Sequence, residues 1–551
     1  MTDMRFASRR ALLAGVSGAV LTSGCASFFS PAADTGDNEL RRETLRTMKR
    51  AARFMRERVA YRGGYVWSYA QDFSRRWGEM EAYPSMIWIQ PPGTATVGHL
   101  YLDCFHATRD EFYYQAAMDV AEGLIAAQHP AGGWNYHHDF AGEESARRWY
   151  DTIGKNGWRL EEFHHYYGNA TFDDAGTSEA SQFLLRMYLE RRASRLRAPL
   201  ERAIRFVLDS QYENGGWPQR FPFVDDAPAL HGRPDYTRYV TFNDDVAGEN
   251  IKFLLMVHQT LGDDRALPAI RRAMEVFIAT QQPAPQAGWG LQHHNETLAP
   301  IGARSYEPDA LTTHTTANNI AQMMNFYEWT GDRRFIERVP EALAWLDSVR
   351  LRDDQVQIPG RHYPTFIEIG SNRARINHRR GSNVVNGEYY WDYDVAKPIT
   401  HYSQWRNLDV EALHARYERL AHLSPDASMS PFVRSAGFRL PRYFTTQNIE
   451  VSDLNSNAGS GAVQRPSSQR VQELISTLNA EGYWPTPLTA TSNPYIGDGS
   501  ATPARGDFSQ TLVGDASDTS PHTTDQPITG ISTGAFIQNM SALLLSIDSG
   551  E

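Results

Sequence analysis

The stretch AIRFVLDSQYENGGWPQRFP, residues 203–222, decides the fold. Its apolar residues recur at helical spacing up to Gln211, and glycines then break the run before Trp217. The unit returns as AEGLIAAQHPAGGWNY in residues 121–136 and as AMEVFIATQQPAPQAGWGLQ in residues 273–292, with an echo, RVQELISTLNAEGYWPTP, in residues 470–487. Before the first three lies another apolar-periodic run, in residues 98–113, 171–189 and 241–266, and a further pair fills 313–346. TRDE, LGDD and TGDR separate members of the pairs, which therefore read as helical hairpins. A period of about 70 residues is long for a solenoid. Hairpins of this length predict an all-α fold, an (α/α) toroid or barrel whose long loops after each Gly-Trp gather at one end.

The 551 residues, 41% of them hydrophobic, suffice for a large core. The 12% aromatic content, with 13 Trp, 26 Tyr and 25 Phe, packs cores and also suits carbohydrate, whose ring faces stack on aromatic planes. A net charge of -11 argues against nonspecific nucleic-acid binding, which depends on Lys and Arg neutralising phosphates. The chain is expected to act as a monomer.

Residues 1–25 read as an export signal: Arg5, Arg9 and Arg10 precede an apolar run from Ala11 to Leu21. Arg9-Arg10 resembles a twin-arginine signal, and LTSGC resembles a lipoprotein box ending at Cys25. The expected location is the periplasm or the outer membrane surface, with membrane contact only through a lipid on Cys25. Cys104, in LYLDCF, is expected in the core. Residues 26–40 read as a linker, 41–423 as the toroid and 424–551 as a Ser/Pro/Thr-rich segment that packs on it.

Two segments open helices at equivalent places in successive repeats: TFDDAG with Asp173 and Asp174, and TFNDDVAG with Asn243, Asp244 and Asp245. One acid suffices for an N-cap, whereas stacked acids from separate elements make oxygen ligands for a hard cation such as Ca²⁺. Residues 366–381, FIEIGSNRARINHRRG, hold Arg373, Arg375, Arg379 and Arg380; arginine's planar fork suits carboxylates, although most charge runs are solvated surface. After the third Gly-Trp comes QHHNETLAPIGARSYEP, residues 292–308, a polar stretch of the kind that lines a site.

These segments together resemble the family 10 pectate lyases. TFDDAGTSEASQFL is similar to that family's TFD segment and YTRYVTFNDDVAGENIKFLL to its TFND segment. GWGLQHHNETLAPIGARSYEPDAL is similar to its Gln-His, Thr-Leu-x-Pro, Ala-Arg-x-Tyr-Glu segment, and IEIGSNRARINHRRG to its Glu-x-x-x-Asn-Arg stretch. The resemblance covers roughly residues 40–395. It implies Ca²⁺-assisted β-elimination of polygalacturonate to 4,5-unsaturated oligogalacturonides, with Asp173 and Asp244 at the cation and Arg304 as the base. Asp173, Asp174, Asn243, Gln292, His293, Tyr306, Arg373, Arg379 and Trp217 are the expected substrate contacts. Two departures bear on the polymer: His378-Arg379-Arg380-Gly381 replaces the family's Asp-Arg-Asp-Gly, and its Arg-rich segment is missing before GEYYWDY.

The chemistry suits these residues. Removing the C5 proton beside a carboxylate needs that carboxylate's charge neutralised as the enolate forms, which a cation and arginines supply. A free guanidinium titrates above about 12, so the base role requires neighbouring cations to lower it; His293, His294 and Tyr306 are alternatives. Two other classes stay open, a toroidal glycoside hydrolase using Asp173 and Asp244, and a noncatalytic uronate-binding lipoprotein.

Overall fold

The computed structural model describes residues 32–154, 161–225, 235–380, 388–396, 398, 403–434, 438–446, 465–488 and 529–548. The leader and Cys25 lie outside them. The helices in chain order are α1 (Ala32–Phe54), α2 (Thr94–Thr108), α3 (Glu111–Ala127), α4 (Glu143–Thr152), α5 (Gly176–Arg191), α6 (Ser194–Asp209), α7 (Val246–Leu261), α8 (Ala266–Thr280), α9 (Thr313–Thr330), α10 (Arg334–Glu337), α11 (Val339–Val349), α12 (Val410–Ala421), α13 (Ser468–Thr477) and α14 (Thr533–Ile547). Pairs α2/α3, α5/α6, α7/α8 and α9/α11 are the expected hairpins.

Their first members form the inner row. Helix α14 packs on α2, α2 on α5 and α5 on α7, while α9 follows against α8 and α12 rests on α9 and α11. Burial separates inner from outer helices. In α7 Ile251, Phe253, Leu254, Leu255, Met256 and Val257 are all inaccessible, so the helix is covered on every side. In α6 the buried residues Leu196, Leu200, Ala203, Ile204 and Val207 keep the three-four spacing of a helix with one wet face. The result is an (α/α) toroid.

One pairing rule recurs around it. The short strand before each inner helix pairs with the strand that follows the outer helix of its hairpin: Ala170–Thr171 with Arg220–Phe221, Val240–Thr241 with Gln292–His293, and Ala310–Thr312 with Phe366–Glu368. Thr529–Ser532, before α14, pairs in the same way with Ser68–Ala70, after the Gly63-Gly64-Tyr65 turn that follows α1. Helices α14 and α1 therefore form one more hairpin, split between the two ends of the chain, and they pack together. This departs from the expected division. Helix α1 begins at Ala32, inside the stretch expected as a linker, and residues beyond 424 supply an inner helix rather than an appendage.

Each turn is held by its tryptophan. The indole N–H of Trp134, Trp217 and Trp484 donates to the carbonyl of Leu124, Val207 and Leu474, at 2.8, 2.8 and 2.9 Å. Gly215 sits at φ +95°, and a Cβ there would meet the Arg272 carbonyl oxygen at 2.0 Å, so this turn requires glycine. Trp217 is wholly buried in this arrangement. It is a core residue and cannot touch a substrate, which corrects the expectation above. Cys104 is buried, as expected.

A strap crosses the C-terminal ends of the inner helices. Leu423 O accepts from Tyr327, Pro431 O from Gln259, and the Phe444 and Thr445 amides donate to Asp103 Oδ2 at 2.8 and 2.7 Å. Phe444 stacks on His99 and lies under the Arg186 guanidinium. The acidic helix starts stand at the opposite end. Among the described residues no helix is long and apolar enough to cross a membrane.

Candidate active site

The two acidic segments take the same shape. Each follows a two-residue strand, makes a single 3₁₀ turn and enters an inner helix. Asp174 and Ala175 in one, and Asp244 and Asp245 in the other, stand at φ between 51° and 57°, in the left-handed region. Such residues cost about 1 kcal/mol or more each outside glycine. Neither segment supplies a side-chain cap to its helix, so capping does not account for the acids. The two turns lie against one another instead.

Asp173 is inaccessible, accepts from Arg304 Nη2 at 2.5 Å and also accepts from the Tyr136 hydroxyl. Asp244 hydrogen-bonds to it and accepts from Asn243 Nδ2 at 2.6 Å. Asp174 accepts from Gln90 Nε2 at 2.8 Å, and the same amide donates to Glu79 at 3.0 Å. Asp244 is exposed and Asp174 half-buried, yet the loss of water around the crowded carboxylates raises both, helped by the charge of Asp173 on Asp244 and of Asp244 on Asp174. Burial also acts on Asp173, but Arg304 and hydrogen bonds from Asp244, Tyr136 and Gln219 hold it below the usual range. The cluster thus favours the charged form of Asp173 over those of its neighbours.

Arg304 is nine-tenths surrounded by protein and faces three carboxylates: Asp173, Glu162 at 3.2 Å from Nε, and Glu307 at 3.1 Å from Nη1. The Tyr236 ring lies beneath it, 5.6 Å from centroid to guanidinium carbon. The cations expected around Arg304 are therefore acids, and three carboxylates favour its positive charge. Burial pushes Glu162 up to about 8, against the pull of Arg304. Glu162 was not singled out in the sequence; its one signal is a Glu161-Glu162 pair against Phe163 in a segment without helical period. Glu161 accepts from the Ser305 amide at 2.9 Å and so holds the Arg304 loop. Arg220 was missed as well. Its Nη1 donates to Asn135 at 3.1 Å and Asn169 at 3.2 Å, and its guanidinium faces the Tyr136 and Tyr167 rings.

The remaining candidates divide. Tyr306 is buried against Tyr389, and its carbonyl accepts from Asn377 Nδ2 at 2.8 Å, which joins the arginine-bearing hairpin to the Arg304 loop. Gln292 is buried with neither amide atom paired among the described residues. His293 is a brace: Nε2 accepts from the Gly290 amide and Nδ1 donates to Leu298 O at 2.8 Å, so no lone pair is free for a proton. Burial lowers it to about 4. His294 Nδ1 faces the amide of Glu296 at 3.2 Å. Arg373 lies over the Tyr393 ring on the outer hairpin, while Arg379 contributes a described backbone only, paired with Tyr389.

Among the described residues no group of three or more His, Cys, Asp or Glu side chains is set to hold a metal ion. The donor set nonetheless has the chemistry for one. Asp173 and Asp244 are hard oxygen donors on adjoining turns, and the mutual repulsion that raises Asp174 and Asp244 is what a divalent cation would relieve.

Residues 147–373 match the family model described as pectic acid lyase. No curated protein matches the chain. Among solved structures, a mutant family 10 polysaccharide lyase from Cellvibrio cellulosa, in complex with trigalacturonic acid, is 16% identical, with 60% of this chain and 99% of that one covered at a TM-score of 0.39. A family 76 α-mannanase from Bacteroides thetaiotaomicron is 13% identical, with 60% and 75% covered at 0.33. An unsaturated glucuronyl hydrolase specific for heparin is 10% identical, with 93% and 97% covered at 0.35. Asp173, Asp244 and Arg304 all lie within residues 147–373, the stretch that matches the pectic acid lyase model.

Proposed function

We propose that the protein is a pectate lyase that cleaves polygalacturonate by Ca²⁺-assisted β-elimination and releases 4,5-unsaturated oligogalacturonides. The observation that carries this reading is the junction of two strained acidic turns with the buried guanidinium of Arg304, inside the region matched by the family. Asp173, Asp174 and Asp244 would hold the cation, which when bound neutralises the uronate carboxylate and so acidifies C5.

The chain's own residues then bind, orient and move the proton. The Tyr136 hydroxyl fixes the Asp173 carboxylate. Glu161 and Glu307 fix the backbone of the Arg304 loop, the second through the Arg304 amide at 2.9 Å. Arg304 takes the C5 proton in the reading its motif supports. To do so it must be neutral, which requires Asp173 and Glu162 to release it as ligands arrive. Glu162 favours a second reading. Its carboxyl, at about 8 and 3.2 Å from Arg304 Nε, can exchange a proton near neutral pH while Arg304 stays cationic and pairs with the substrate carboxylate. A glycoside hydrolase built on Asp173 and Asp244 is disfavoured, since two carboxyls hydrogen-bonded to each other leave no room for a glycosidic bond between them.

Thorough chelation is expected to abolish turnover of polygalacturonate, with Ca²⁺ restoring it and raising the thermal midpoint. Undiminished turnover after chelation would remove the metal from the account. We also propose that the protein is exported and lipid-anchored through Cys25, from the arginine-led apolar leader. Mass spectrometry of the mature N-terminus tests it, and an intact Met1 contradicts it.

A further inference from the structure

A second cavity, of about 450 Å³, lies beside the acidic cluster and is lined by residues of 127–150 and 166–169. Most of its wall precedes residue 147, outside the stretch matched by the pectic acid lyase family. It shares a partition with the catalytic cluster. Asn135 and Asn169 line the cavity and together hold Arg220, which faces Tyr136, whose hydroxyl reaches Asp173.

Its floor carries unmatched polar atoms. His137 and Asp139 point to one side of the strand His137–Asp139, and both are about 95% buried. Neither ring nitrogen of His137, nor Asp139 Oδ2, has a hydrogen-bond partner among the described residues. Leaving such groups unpaired costs about 1–3 kcal/mol each; they lie just beneath the cavity surface, so a ligand whose entry uncovers them gains donors and acceptors. His137 is boxed by Trp88 at 4.8 Å and Trp149 at 4.5 Å between ring centroids, and burial pushes it down to about 3, so it stays neutral with one donor and one acceptor. Tyr150 adds a hydroxyl that accepts from Asn135 Nδ2 at 3.0 Å.

The charge of the wall disfavours a uronate. Among the described residues no Lys or Arg lines the cavity, while Asp139 and Glu143 do; Arg220 stands behind Asn135 and Asn169, and Arg147, beside Ala146, is paired with Glu143 at 2.6 Å. Carboxylates repel a carboxylate ligand, and hydroxyls are what a neutral histidine, an unpaired carboxylate oxygen and aromatic rings recognise together. We propose that this cavity is a binding site for a neutral sugar unit, adjacent to and chemically distinct from the uronate-binding centre. Its assignment to a neutral branch or neighbouring residue of the polymer rests on the function proposed above; the binding itself does not.

The matched probes are D-galactose and D-galacturonate, which differ in one carboxylate, titrated into the full chain and read by calorimetry and tryptophan fluorescence. Galactose is expected to bind saturably. His137→Phe, which keeps the ring and removes both nitrogens, and Ala146→Trp, which fills the cavity from α4, should each weaken galactose at least tenfold and leave galacturonate binding unmoved. Should one variant fail to fold, the other decides. Absence of saturable galactose binding at concentrations up to about 50 mM, far above the millimolar scale of weak sites, would overturn the proposal. So would galactose affinity untouched by both variants, or galacturonate weakened equally by them. Galactose bound with no galacturonate bound would fault the lyase reading and leave this one standing.

Discussion

Arg304→Lys is expected to lower kcat on polygalacturonate by about 10² or more, because lysine keeps the charge but loses the planar fork and changes proton affinity. The structure gives a reason why this variant still folds: an ammonium can satisfy part of the shell formed by Glu162, Asp173 and Glu307. Arg304→Ala should behave differently. It leaves buried carboxylates uncompensated, at a cost of about 3–5 kcal/mol, so it should lose activity and stability together. Glu162→Gln separates the two candidate bases. If Arg304 takes the proton, Glu162→Gln retains turnover to within about tenfold; if Glu162 takes it, that variant falls by about 10² or more. Near-normal turnover in both Arg304→Lys and Glu162→Gln would place the base elsewhere.

The second large effect is on stability against pH. Glu162 is raised from an ordinary 4.5 to about 8 by burial. The folded protein therefore keeps a proton that the unfolded chain gives up, and stability is full below about 4.5 and lost as pH rises toward 8. Each pH unit across that window is worth about 1.4 kcal/mol, so the loss is on the order of a few kcal/mol. Glu162→Gln is neutral throughout and removes it. The variant should melt several degrees above the parent at pH 8 and close to it at pH 5. A thermal midpoint at pH 8 below that of the parent would show that Glu162 contributes as a charged partner of Arg304 and not as a protonated acid.

The hairpins were legible because their signals are local. Apolar spacing and a glycine turn before tryptophan lie within twenty residues, and the Trp217 indole bonds back to Val207 within the same stretch. For the same reason Trp217 was misread: sequence spacing does not distinguish an aromatic that caps the core from one that meets a ligand. The ring's closure was not legible. Ser68–Ala70 and Thr529–Ser532 are brought together only by the completed toroid, and no local pattern announces a hairpin divided between the two ends of a chain. The acids of the two turns could be found because the repeat places them in register. Glu162 and Arg220 stand outside the repeat, in loops whose course depends on what they pack against, and His293 looked catalytic only because its backbone partners, Gly290 and Leu298, are invisible in sequence.

The measurement that bears most directly on the account is a parallel reading of new reducing ends and of ultraviolet absorbance from a 4,5-unsaturated uronide, with the full chain, polygalacturonate and Ca²⁺. Every elimination event yields one of each, so the two signals should rise together and stop together on chelation. Reducing ends without the absorbance would mean hydrolysis, neither signal would mean a binding protein, and either result would contradict the lyase.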